Sequence, residues 1–119
     1  MPSHPGSRWF VVGPTGVAVQ VGVRTPAGFL ITREAAARLA GRLQGQVSLA
    51  RLDELIANPQ ARRFLDAQHG GTIRIFAPSV TMFGGQGLAI VINPTTRTIV
   101  SVFPSSAGFT RNTGRFTEL

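Results

Sequence analysis

Two apolar, β-branched runs near the end of the chain, Leu88–Asn93 and Thr98–Phe103, limit the folds open to it more than any other feature. Only Pro94-Thr95-Thr96-Arg97 separates them. Runs rich in Val and Ile on either side of a short turn read as a β-hairpin. A third run, Thr72–Ala77, alternates polar and apolar residues and predicts another strand. Pro78 interrupts it, and Met82–Gly87 (MFGGQG) reads as a turn. Three strands in succession predict an antiparallel meander packed on helices. Beyond the hairpin the chain continues as PSSAGFTRNTGRF, a small, basic, hydroxyl-rich tail. Arginines and hydroxyls on a sheet edge without acids suit phosphate.

Upstream the period is helical. Thr32 is a good N-cap, Glu34 lies in the first turn, and Leu39 and Leu43 share a face. These signals predict a helix from Arg33 to about Leu43, ended near Gly45. Ser48 caps a second helix with Leu52, Leu55 and Ile56 as its apolar stripe. Asn58-Pro59 is read as the start of a third short helix, carrying Phe64 and Leu65 and stopping at Gly70-Gly71. Nearer the start, Trp9–Val12 and Val17–Val23 flank Gly13-Pro14-Thr15-Gly16 as a short hairpin, and Thr25–Gly28 is a turn. The Pro- and Gly-containing stretch 1–7 is expected to be loose. The class is therefore α+β: an N-terminal short hairpin and about three helices, followed by an antiparallel β-meander. Residues 1–26 read as linker and hairpin, and residues 27–119 as one domain.

The chain has 119 residues, twelve arginines, no lysine and five acids, for a net charge of +7. A coding bias can explain arginine in place of lysine, but not twelve bases against five acids. Such a balance bears on partners and not on fold: nucleic acid first, an acidic protein second. There is no cysteine, so no disulfide or thiolate chemistry. No apolar run reaches the ~20 residues of a membrane span, and no signal-peptide core is expected at the start.

Alternation sorts the strands into faces. Ile73 and Ile75 point to the core, and Thr72, Arg74 and Phe76 point away. In the last strand Val100 and Val102 are expected inside, with Arg97, Ile99, Ser101 and Phe103 outside. The outer face would then join Arg74, Arg97, Thr72, Ser101, Phe76 and Phe103. Guanidinium on phosphate and ring on base is the chemistry of single-stranded RNA recognition. The alternative is that Phe76 and Phe103 pack beneath the N-terminal hairpin. His69, beside two glycines, is the natural general acid or base, or else a helix-terminal histidine favoured by the dipole. Glu34, Asp53, Glu54 and Asp66 are all expected on helices and no strand carries an acid. A paired-carboxylate hydrolase and a dedicated Mg²⁺ or Ca²⁺ site are thus not expected, and no metal or other cofactor is implied. Ser105-Ser106 lacks a nucleophile-elbow context, and the glycine turns lack phosphate-loop spacing. Metal-free RNA cleavage remains feasible, with the 2′-OH attacking its neighbouring phosphate and arginine stabilising the added charge.

The run GLAIVINPTTRTIVSVFPSSAGFTRNTGRF, Gly87 to Phe116, resembles the ending of ribonuclease toxin domains of bacterial polymorphic and contact-dependent toxin systems, in the barnase/EndoU/colicin/RelE-like superfamily. The resemblance covers about the last third of the chain, and the middle only by order of elements. It implies His69 as acid/base, Arg74 and Arg97 as phosphate ligands, and Ser101, Thr110 and Arg111 as contributors from the sheet end and tail. Thr72, Phe76, Phe103 and Ser105 would line the substrate. It further implies secretion or delivery as the C-terminal part of a larger effector, action in the target-cell cytoplasm, and an acidic cognate immunity protein. The sequence departs from the pattern in having no strand Glu and no second folded His. A non-catalytic basic module binding RNA or an acidic protein is the other reading. NAD⁺ consumption ranks last, having no motif behind it.

Overall fold

The computed structural model describes residues 9–81 and 83–119; the loose stretch expected at 1–7 and Met82 of the expected turn lie outside them. The first strands among the described residues, β1 (Phe10–Val12) and β2 (Ala18–Gln20), pair antiparallel as a hairpin. Then come β3 (Leu30–Ile31), α1 (Arg33–Ala40), α2 (Leu49–Ala57), β4 (Arg62–Asp66), β5 (Ile73–Ala77), β6 (Leu88–Asn93) and β7 (Thr98–Pro104). A short 3₁₀ helix (Ala107–Arg111) and β8 (Phe116–Glu118) follow. The fold is α+β, and the second sheet runs β3-β7-β6-β5-β4-β8. All its pairings are antiparallel except β3 with β7.

Both helix starts follow from their caps. The Thr32 hydroxyl accepts from Ala35 N–H and the Ser48 hydroxyl from Arg51 N–H, at 3.1 and 3.0 Å. Helix α1 ends at Ala40, earlier than the expected Leu43. Gly41 N–H bonds back to Ala37, and Gln44 and Gly45 take left-handed φ of 54° and 70°. Leu43 is still fully buried, so this last apolar position is filled by a turn. Helix α2 buries Leu52, Leu55 and Ile56 as its spacing predicts.

The main core lies between the two helices and one face of the large sheet. Ala35, Ala36 and Leu39 of α1 and the α2 stripe meet Ile75, Leu88, Ile90, Ile92, Ile99 and Val102. Each fully buried Leu or Ile contributes about 1.5–3 kcal/mol. The N-terminal hairpin packs Val11 and Val19 against the same core. Its Gly13 approaches α1 so closely that a Cβ there would run into the Ala40 carbonyl.

Three sequence expectations change. The expected third helix is strand β4. Asn58 Oδ1 accepts from Gln60 N–H, so Asn58-Pro59 makes a turn, and Arg62–Asp66 alternates and pairs with both β5 and β8. There are accordingly two α-helices among the described residues. The meander gains β4 and is flanked by β3 and β8. In β7, Ile99 is inside and Val100 is not. Val91 faces Ser101 while Ile92 faces Ile99, leaving Val100 as a bulge residue. One extra residue reverses the phase of alternation on its N-terminal side. Ser101 and Phe103, past the bulge, keep the expected outer face.

Candidate functional site

The outer face of the sheet carries a second, aromatic cluster of Phe64, Phe76 and Phe116. Phe109 of the 3₁₀ helix closes it edge-on, with ring centroids 5.2, 5.8 and 5.0 Å away. Beside it lies a cleft of about 220 Å³ between the β4–β5 turn, β5, β7 and the start of α1.

The β4–β5 turn builds one wall. Asp66 ends β4 and accepts from Gln68 N–H at 3.0 Å, while Thr72 N–H and its hydroxyl both donate to the His69 carbonyl, at 3.1 and 2.6 Å. The tight turn sets the His69 ring beside Asp66, Nδ1 to Oδ2 3.3 Å. Arg115, just before β8, grips the same carboxylate with a two-pronged fork: Nε to Oδ1 2.8 Å and Nη2 to Oδ2 2.9 Å. Ala67 N–H donates to the Arg115 carbonyl, closing the pair from the backbone. The Asp66 side chain is 3% exposed and the His69 side chain 64%. The Arg115 fork holds the Asp66 carboxyl well below the usual carboxylate range, aided by the Gln68 amide. Asp66 is therefore an anchor and a poor base. His69 Nδ1 also lies 3.3 Å from Arg115 Nη2. With a proton on Nδ1 the ring donates to Asp66, and Nε2 is left for the cleft.

Arg74, on β5, forms the floor. Its guanidinium carbon sits 5.2, 5.0 and 4.6 Å from the ring centroids of Phe103, Phe109 and Phe116. It makes no hydrogen bond or ion pair with a described residue, and its buried Nε is without a partner. Burial and the neighbouring Arg115 pull its pKa down. The rings favour the cation, yet none of its five N–H donors meets an acceptor among the described residues. Ser101 is 5% exposed and its Oγ is also unpartnered. A buried group of this kind calls for an explanation, and both line the cleft.

Helix α1 supplies the opposite rim. The Thr32 hydroxyl lies 2.9 Å from the Val100 carbonyl, tying the helix start to the bulge. Glu34 thereby reaches the cleft, and its carboxylate makes no ion pair with a described residue.

Of the residues expected from sequence, His69, Thr72, Arg74, Ser101 and Phe103 meet in this cleft. Arg97 does not. It occupies the β6–β7 turn at φ 53°, donates to the Ala27 carbonyl at 2.7 Å and lies 4.5 Å over Phe29, which makes it a clamp between loops. Phe76 faces outward as expected but is 3% exposed. Phe109, not the N-terminal hairpin, covers it, so it cannot stack on a base. Ser105 and Thr110 spend their hydroxyls on the carbonyls of Ser106 and Ala107, and neither they nor Arg111 lines the cleft. Sequence reasoning missed Asp66, Arg115 and Glu34. Asp66 was expected on a helix, but it ends a strand, and Glu118 also lies on one. The spacing Asp66-x-x-His69 across a Gly-rich turn was the available signal. Nothing local tied Arg115 to it.

Among the described residues no three His, Asp or Glu converge closely enough to hold a metal, and no helix is long and apolar enough to cross a membrane. Comparison with protein-family models, curated proteins and solved structures gives no match.

Proposed function

We propose that this is an endoribonuclease domain that cleaves RNA without a metal ion, through attack of a 2′-OH on the adjacent phosphate. One observation carries the reading. An exposed histidine anchored by a buried carboxylate shares a small cleft with Arg74 Nε and Ser101 Oγ, buried donors that lack partners among the described residues. A phosphate has the charge and acceptor oxygens to engage both.

In this reading the scissile phosphate lies against Arg74 and Ser101, with Arg115 beside it. Glu34, which makes no ion pair with a described residue, takes the 2′-OH proton as the 2′ oxygen bonds to phosphorus. The phosphorus–5′-oxygen bond breaks, and protonated His69 delivers its proton to the leaving oxygen. The products are a 2′,3′-cyclic phosphate and a 5′-OH, with no external reagent consumed. Arg74 stabilises the extra charge as the phosphorane forms. Such proton transfers are each worth about 10²–10⁴-fold. Asp66 and Arg115 act as positioning residues, holding the ring in the form that leaves Nε2 to the cleft.

The test is a pH–rate profile on a short RNA. Wild type gives a bell. Glu34→Gln removes the acid limb and His69→Ala the alkaline limb. A profile unchanged in shape by either substitution would overturn the assignment. The charge, the resemblance of Gly87–Phe116 and this cleft together support a toxin cargo, delivered as the end of a larger effector and countered by an acidic immunity protein.

A further inference from the structure

Most arginines of this protein are already engaged. Arg51 pairs with Glu54, Arg62 with Glu118 and Arg115 with Asp66. Arg24, Arg63 and Arg97 donate to the carbonyls of Gly28, Ile56 and Ala27. Arg38, Arg42, Arg74 and Arg111 form no hydrogen bond or ion pair with a described residue.

Three of these four follow one line. Arg74 and Arg38 both hold their guanidinium over the Phe103 ring, at 5.2 and 5.9 Å. Arg42, in the turn that follows α1, has its Nη2 4.0 Å from where a Cβ on Gly84 would sit. The loop at Gly84-Gly85 in turn packs on Pro104 and Ser105, the end of β7. Unneutralised charge therefore leaves the cleft at Arg74, crosses Phe103 and continues along the exposed side of α1 to the 83–87 loop. Helix α1 can contribute because β7 is paired with β3 only as far as Ile99, so the helix lies against an otherwise open strand.

We infer that Arg38 and Arg42 form a phosphate-binding track that holds the single-stranded RNA to one side of the bond cut in the cleft. This rests on the RNA reading above and adds to it. A strand that placed one phosphate at Arg74 would bring following phosphates to Arg38 and then Arg42, with Phe103 between the first two. Like charges arranged this way repel one another, and an anion bound along them relieves that repulsion. A flexible single strand can fit its phosphates to closely placed arginines around a ring, which a rigid duplex does not.

The test uses an uncleavable 2′-O-methyl hexanucleotide and needs no catalysis. Its dissociation constant is measured by fluorescence anisotropy across a salt series for wild type, Arg38→Gln/Arg42→Gln and Arg24→Gln/Arg51→Gln. The two double variants lose equal charge. Each phosphate contact on a single strand adds about 0.7 to the slope of log affinity against log salt. The track variant should therefore lower the slope by about 1.4, and the control should leave it unchanged. Equal slopes in both variants, or equal losses in both, would overturn the track. So would binding of polyglutamate but not of the oligonucleotide, which would give this face to an acidic protein. Binding through Arg38 and Arg42 in a protein that cuts no RNA would keep the track and discard the cleavage. RNA cleavage with an unaltered slope in the track variant would do the reverse.

Discussion

Asp66 shows how one side chain can hold a site without reacting. It ends a strand, caps the turn that presents His69 and takes both prongs of Arg115. An unfolded Asp titrates near about 3.9, and the Arg115 fork puts the folded value lower. The folded state therefore binds fewer protons in that window. The pair's stabilisation is present in full above the unfolded value and is lost as pH falls through the folded one. Asp66→Asn removes this dependence. Thermal melts should show the variant less stable than wild type by several degrees at pH 7, with the gap closing steadily below about pH 4. A gap constant from pH 7 to pH 3 would mean that the pair does not stabilise the fold. Arg74 is the opposite case, a guanidinium that burial disfavours and no acceptor among the described residues compensates.

At the scale of elements, the site depends on two departures from regular structure. The bulge at Val100 restores Ile99 to the core and leaves Ser101 and Phe103 on the outer face. The 3₁₀ helix places Phe109 on three rings and against Arg74. Phe109→Ala should destabilise the domain by about 2–3 kcal/mol, read from denaturant unfolding, because a half-buried ring and its edge-on contacts are lost together. A change below about 0.5 kcal/mol would show that the tail adds nothing to the fold. Much of the architecture was legible in the sequence. Thr32 and Ser48 announced both helices, and the alternation of Thr72–Ala77 placed Arg74 correctly. The strand at Arg62–Asp66 was not legible, because five residues that follow Asn-Pro satisfy a helix start as well as a turn, and only pairing with β5 and β8 decides between them. The phase of β7 was hidden for a similar reason, since a bulge leaves no mark in a run of Val and Ile. Arg115 is tied to Asp66 through the β4–β8 pairing, and no local pattern reports a contact of that range.

Across the whole molecule, the positive charge is uneven in its effect. Ion pairs and carbonyls occupy the arginines of α2, β4 and the loops, while those along Arg74, Arg38 and Arg42 remain unneutralised beside the one exposed histidine of the described residues. A net charge of +7 alone predicts loose binding to any polyanion. Its concentration around an anchored histidine predicts chemistry at one place. The direct test is to incubate the purified protein with total RNA and tRNA in EDTA, beside His69→Ala, Arg74→Ala and Arg97→Ala. Wild type and Arg97→Ala should give the same discrete fragments ending in 2′,3′-cyclic phosphate, while His69→Ala and Arg74→Ala give them about 10²-fold more slowly or slower still. Intact RNA with wild type at every dose, or fragments undiminished in His69→Ala and Arg74→Ala, would contradict the account.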